Sequence, residues 1–525
     1  MKEFKELAEI VDKLSDEEYK FCRSFKQSNS IQESSISKLL RLIKEGKEYD
    51  IKGIQEQLYG AKKDEAFKKL VIRSRTRVLD CLLLSESIIT NVYYDDRAKE
   101  ILTLRKQLIQ FDMLNLRGAS TFALKLVNKI IAKTKLYEYY DLLVFAMYKK
   151  LRLSGAFSTQ EAYQKQLIEI EYYENCRSTY HKLELYHKSF YLLLNERKKV
   201  VAQRSRILKI VKEAESDYLR TDSKSIRYYY LLFKAFHLEL EDELEKSCST
   251  WMELIALVQG NKYLNSTHGL ANAYINLARV YLLVFDFERC SSALKRTLQL
   301  IKYFDPHAST YYNFKFLCGF YSGSKKSIEL NLEILVSYLY SGIIVLYVAD
   351  MVKFYHSCIK FIESEYSASY FLLNDVKALE QDKEAWNIAI RVLSIMNQIE
   401  LENYEIADNL IDNLRKYHER IKKTLIVSKR DEKIIQILIA LSGHSYHFRT
   451  TYRKKSDAFN LLDSMDTNYR WKIVSPEMIV FHEWFKAKTE NTKYDHFEVM
   501  PRMMKKYSAL KKPFVSSPED VKIHQ

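Results

Sequence analysis

The first proline of this 525-residue chain is Pro306, and the whole sequence holds only 5 prolines and 11 glycines. Proline inside a helix removes a backbone donor and clashes with the turn before it, so its absence over that length leaves helix as the default conformation. Leu, Lys, Glu and Ile dominate in runs too long for strands, which average about five or six residues, and their apolar members recur at helical spacing. The sequence therefore predicts an all-α protein. Its length exceeds what one compact core usually holds, which calls for several domains or an extended array.

The seven cysteines, at positions 22, 81, 176, 248, 290, 318 and 358, form no CxxC pair, as expected of reduced thiols in a cytoplasmic protein. The opening MKEFKELAEIVDKLSDEEYK alternates charges and has no apolar block of the secretory kind. The longest uncharged apolar stretch, Ile334 to Ala349, falls short of the roughly 20 residues that cross a bilayer. No membrane association is expected.

Residues 1–100 read as a small helical domain. Ser15-Asp-Glu-Glu18 fits a capping box. Three further helical stretches follow, the last of them KKDEAFKKLVIRSRTRVLDCLLL from Lys62 to Leu84. This order outlines a helix-turn-helix unit, in which the last helix would meet DNA. On that helix Phe67, Leu70, Val71, Ser74, Val78, Cys81 and Leu82 make one apolar face. Lys69 and Arg73 point away from it, and Lys68, Arg75 and Arg77 flank it. These five cations are the candidate nucleic-acid contacts, although long basic side chains also line an apolar face with no ligand at all.

Beyond residue 100, helix pairs recur. In the stretch from Thr267 to Pro306, Tyr274, Leu277, Ala278 and Tyr281 lie along one helix, Asp286 marks a turn, and Cys290, Leu294 and Thr297 lie along the next. This resembles the tetratricopeptide repeat, with Ala278 and Cys290 at the small-residue sites where two helices approach closely. Asn403 to Ala407 repeats the shape of Asp286 to Cys290, with Ile411 and Leu414 in the places of Leu294 and Thr297. The order of LSDEEYKF, KLLRLIKEGKEYD and IQEQLYG ahead of such an array is also similar to a group of bacterial helical-repeat proteins. The resemblance implies a fold, an α-solenoid of TPR-like helix pairs behind a small amino-terminal domain, and no activity. A looser similarity is to bacterial regulators that join a DNA-binding helical head to a repeat-built domain. The expected division is 1–100 for the amino-terminal domain, 101–487 for the array, and 488–525 for a capping segment and tail.

The formal net charge of +15 points to an acidic partner. Residues 1–100 are nearly balanced, with 20 Lys or Arg against 19 Asp or Glu, whereas residues 101–200 carry 17 against 9. The densest basic run holds Arg197, Lys198, Lys199, Arg204, Arg206 and Lys209, the candidate partner-binding residues. No GxxxxGK, GxGxxG or GxSxG motif occurs. His444 and His447 share a helical spacing but lack a third ligand, and His181 with Glu184 reverses the order of a carboxylate-bridged metal motif. Neither a metal nor a cofactor is expected. The sequence reads as a non-catalytic interaction scaffold or adaptor that holds a peptide or protein partner, with a DNA-binding regulator as the alternative.

Overall fold

The computed structural model describes residues 2–25, 34–45, 51–59, 64–84, 96–154, 159–194, 204–261, 264, 267–301, 307–340, 346–376, 386–423, 427–473 and 475–508. Every regular element among them is a helix, and consecutive helices pack against one another. No helix among the described residues is long and apolar enough to cross a membrane. Packing divides the chain into Met1–Ser178 and Thr179–Gln525, a division that falls inside the helix Gln160–Leu194.

In the first unit the helices Lys2–Lys13, Asp16–Ser24, Ser35–Glu45, Ile51–Tyr59 and Asp64–Leu84 share one core. The capping box is present in both halves: Ser15 Oγ accepts from the Glu18 N–H at 3.2 Å, and the Glu18 carboxylate accepts from the Ser15 N–H at 2.9 Å. Phe67, Leu70, Val71, Val78 and Cys81 of the last helix are buried against Phe4, Leu7, Leu40 and Ile43. The helices Asp96–Leu116, Ser120–Leu136 and Tyr140–Ser154 then follow as antiparallel neighbours.

The second unit is built from hairpins that share one turn. Asp242, Phe285, Gly323, Ser364 and Glu402 each take a positive φ, between 59° and 73°, immediately after the first helix of a pair. In each case the next residue's N–H reaches back five residues to a helix carbonyl, as in Glu243 to Leu238, Asp286 to Tyr281, Ser324 to Gly319, Glu365 to Lys360 and Asn403 to Gln398, all at 2.8–2.9 Å. This left-handed cap satisfies carbonyls that the helix end leaves open and turns the chain back on itself. The turns recur about every 40 residues, a longer period than the roughly 34 of a tetratricopeptide unit. The longer helices account for the difference, since the pair Thr267–Leu283 and Phe287–Leu300 alone covers most of it.

Small residues hold the two helices of a pair together at matching places. Ser247 Oγ donates to Ala235 O and Ser357 Oγ to Ser369 O, both at 2.9 Å and both across twelve residues. Ala278 and Cys290 occupy the same two places in their own hairpin, and Ala407 the second place in another; all three are fully buried. The hairpin His307–Ser322 with Lys325–Tyr340 solves the approach differently. A methyl group on Gly319 would sit 2.7 Å from Ser327 Oγ and 2.9 Å from its Cβ, so only glycine fits there. Tyr274, Leu277, Tyr281, Leu294 and Ile411 are buried in the same core. Of the consecutive tyrosines 228–230, Tyr229 and Tyr230 are buried and Tyr228 is half-buried.

The apolar stretch from Ile334 to Ala349 is divided between the helices Lys325–Tyr340 and Leu346–Ile362, with 341–345 outside the described residues. After the helix Ser456–Leu462 the described residues form no regular element until Phe481, and the last described helices are Phe481–Thr489 and His496–Ser508. This returning stretch runs past the ends of the hairpins. Arg470 pairs with Asp242, Tyr507 meets Phe285, Trp471 meets Tyr321, His496 meets Phe320, and Trp484 and Lys488 share Glu400. Trp471 and Trp484 are buried to 1% and 0% exposure, so the stretch is part of the core rather than a detachable arm.

Candidate functional site

Arg430 organises the most elaborate polar site among the described residues. It stands in the first turn of the helix Lys429–Gly443, whose N-cap hydroxyl, Ser428 Oγ, accepts from the Arg430 N–H at 3.2 Å. Its guanidinium is buried, and every N–H is used. Nε donates to Glu477 Oε2 at 2.5 Å, and Nη2 donates to Glu477 Oε1 at 2.8 Å and to His482 Nδ1 at 3.1 Å. Nη1 donates to the carbonyls of Leu462 at 2.8 Å and Tyr469 at 2.7 Å. A guanidinium has five donors in a fixed fork, so this set saturates it. Four separate stretches of chain are thereby fixed around one helix start.

The same contacts decide what His482 can do. Because Arg430 donates to Nδ1, that nitrogen must carry the lone pair, and the ring proton sits on Nε2. Nε2 faces Asp463 Oδ1 at 3.5 Å and Glu483 Oε1 at 4.0 Å, a trio whose spacing would suit a metal ion. A metal on Nε2 would need the proton moved to Nδ1, directly against the guanidinium. Both carboxylates already have cations as well: Lys506 Nζ lies 2.5 Å from Asp463 Oδ1, and Arg502 pairs with Glu483. His482, and after it Lys506, hold the Asp463 carboxyl well below the usual carboxylate range. The residues present fit an ion-pair network and not a metal centre.

Beside this network lies a cleft of about 330 Å³. Its walls come from the first helices of three successive hairpins: Phe354 and Cys358 from Leu346–Ile362, Val392, Leu393 and Met396 from Trp386–Glu400, and Ile434 from Lys429–Gly443. The returning stretch closes the far side with Met478 and Ile479, which Arg430 holds in place through the neighbouring Glu477. The rim is polar, with Asn468, Arg470, Lys472, Ser475 and Asp431. Lys472 is exposed and forms no ion pair among the described residues, whereas Arg470 pairs with Asp242. Apolar walls with a few placed polar groups, at this volume, are the usual make-up of a ligand site.

The basic residues singled out in the sequence lie elsewhere. Arg197, Lys198 and Lys199 fall outside the described residues. Arg204 donates to Leu240 O at 2.7 Å and lies 3.8 Å from Glu241, Lys209 lies 3.9 Å from Glu213, and Arg206 is exposed. None of the three lines the cleft. On the helix Asp64–Leu84, Arg75 pairs with Glu6 and Arg77 donates to Arg23 O at 3.1 Å, so both tie their own domain together. Lys68, Lys69 and Arg73 are exposed, with Lys69 3.1 Å from Glu65. His444 contacts Thr451 through Nδ1 and Lys454 through Nε2, and His181 stands 3.6 Å from Glu184. The cleft itself had one faint sequence signal, the polar and aromatic break DSMDTNYRWKIVSPE inside an otherwise helical chain.

No protein-family model, no curated protein and no solved structure matches this chain.

Proposed function

We propose that the protein is a non-catalytic interaction scaffold or adaptor, a TPR-like hairpin array that holds a segment of a peptide or protein partner in the cleft beside Arg430. The observation that carries this reading is the cleft's construction. Three successive hairpins give it apolar walls, and two of its cations, Arg430 and Arg470, are engaged in ion pairs that position rather than react. Repeat arrays recognise partners in this manner, through a continuous surface to which several repeats contribute.

The test is a comparison of partners recovered with the parent chain and with Met396→Trp, which fills the cleft from its floor. Loss of a partner held by the parent supports the reading, and identical recovery rejects it.

A second reading, a DNA-binding regulator, rests on the exposed Lys68, Lys69 and Arg73 along one helix of the first unit. It requires that neutralising Lys69 and Arg73 weaken DNA binding and flatten its dependence on salt, because each phosphate contact releases counterions. An unchanged salt slope ends it.

A further inference from the structure

We infer that the segment held in the cleft is anionic: an apolar side chain entering between Leu393, Met396 and Ile434, followed in its own chain by a carboxylate that Lys472 and Arg470 receive at the rim. This rests on the reading of the cleft as a partner site and names the chemistry of its occupant.

Three features of the cleft argue for it. The depth is apolar, so an entering group has to be apolar as well, because a buried polar group without a hydrogen bond costs about 1–3 kcal/mol in proteins. The rim carries two cations two residues apart, Arg470 and Lys472, on a stretch that turns Trp471 and Ile473 inward and leaves the cations facing out. Lys472 has no carboxylate partner among the described residues, and the partner of Arg470, Asp242, is a half-exposed group beyond the cleft lining, at 53% exposure. The helix Lys429–Gly443 also presents its start to the cleft through Val427, Ser428 and Arg430, and a helix start favours negative charge.

Against these stand Asp431, at the same rim, and Glu477. Counted over the whole lining, paired or not, the cations Arg430, Arg470 and Lys472 stand against the two carboxylates Asp431 and Glu477. The lining thus carries one more cation than carboxylate, with Lys472 the cation that has no carboxylate partner among the described residues, and the whole chain is positive as well. Rim charges act on the choice of partner and the rate of encounter, while the apolar anchor supplies most of the hold.

The experiment uses the full chain and three fluorescent peptides of equal length, read by polarisation. One alternates Leu and Phe with Glu, the second replaces Glu with Gln, and the third replaces Glu with Lys. The expected result is tightest binding of the Glu peptide. Lys472→Glu, an exposed substitution that leaves the core untouched, should weaken it about tenfold and improve the Lys peptide. Equal binding of Glu and Gln peptides, both lost in Met396→Trp, would overturn the anionic assignment while leaving the cleft as the partner site. Peptide binding insensitive to Met396→Trp, or no binding of any of the three, would overturn the cleft as the seat of such a segment altogether. Lys209→Glu, on a helix away from the cleft, is the control for charge alone.

Discussion

The Arg430 guanidinium meets the Glu477 carboxylate side by side, in two hydrogen bonds of 2.5 and 2.8 Å that span 47 residues of chain, with both side chains nearly closed to water. Such a pair fixes position more than it adds stability, because bringing both charges out of water offsets much of their attraction.

Breaking the pair from one side is therefore the severe change. Glu477→Met leaves the guanidinium buried beside two carbonyls with no counter-charge, and the loss should be about 3–5 kcal/mol. Replacing both partners, Arg430→Met with Glu477→Met, should recover part of that loss, since no orphaned charge remains. Urea midpoints of the single and double variants, followed by tryptophan fluorescence, check the order. A double variant less stable than either single one contradicts it.

Glu402 holds a φ of 59° in the turn between two hairpin helices, and its side chain is exposed. A side chain bearing Cβ is strained in that region by about 1–2 kcal/mol, and glycine is not. Glu402→Gly should raise stability by about 0.5–1 kcal/mol after the extra freedom glycine gives the unfolded chain is subtracted. Glu402→Val should lower it, because branching at Cβ worsens the strain. Thermal melting of the two variants against the parent decides the sign.

These turns also show why part of the fold is hidden from sequence. Helix, the capping box at Ser15 and Glu18, and the small pair Ala278 and Cys290 follow from side-chain type and spacing over short distances, and all can be read directly. The repeated turn cannot, because its left-handed position is filled by Asp242, Phe285, Ser364 and Glu402 where the usual marker is glycine. The cleft is hidden for another reason. Phe354, Met396, Ile434 and Met478 each look like ordinary core residues on their own elements, and only the hairpin stacking and the returning stretch bring them together. The basic run near residue 200 stands out in sequence because charge is local, and locality says nothing about what charge faces.

Gly319 marks a close helix approach in the second unit. Gly319→Ala places a methyl group against Ser327 Oγ and Cβ, and neither belongs to a long side chain that can swing away. Overpacking of this kind costs about 1–3 kcal/mol. The compensating change is Ser327→Gly, which removes both clashing atoms, so the double variant should regain stability over Gly319→Ala despite a second helix-weakening glycine. Chemical denaturation of both is sufficient to test the contact.

His496 provides a pH dependence with a definite sign. It is fully buried, its Nε2–H donates to Phe320 O at 3.0 Å, and Nδ1 faces the Tyr494 hydroxyl at 3.4 Å. Burial lowers its pKa from 6.5 to about 4, against smaller opposing effects of the Phe320 carbonyl and Asp495. The unfolded chain thus binds a proton between those two values where the folded chain does not. The contribution of His496 to stability is complete above pH 6.5 and is lost as pH falls towards 4, in total about 3 kcal/mol. Because His496 begins the last described helix, His496–Ser508, and bonds to the hairpin helix His307–Ser322, the loss should appear first as release of the helix His496–Ser508. His496→Gln keeps a donor for the Phe320 carbonyl but cannot titrate, so the difference in urea midpoint between parent and variant should shrink or reverse from pH 7 to pH 4.5. A difference that stays constant over that range would show that His496 is not the titrating group.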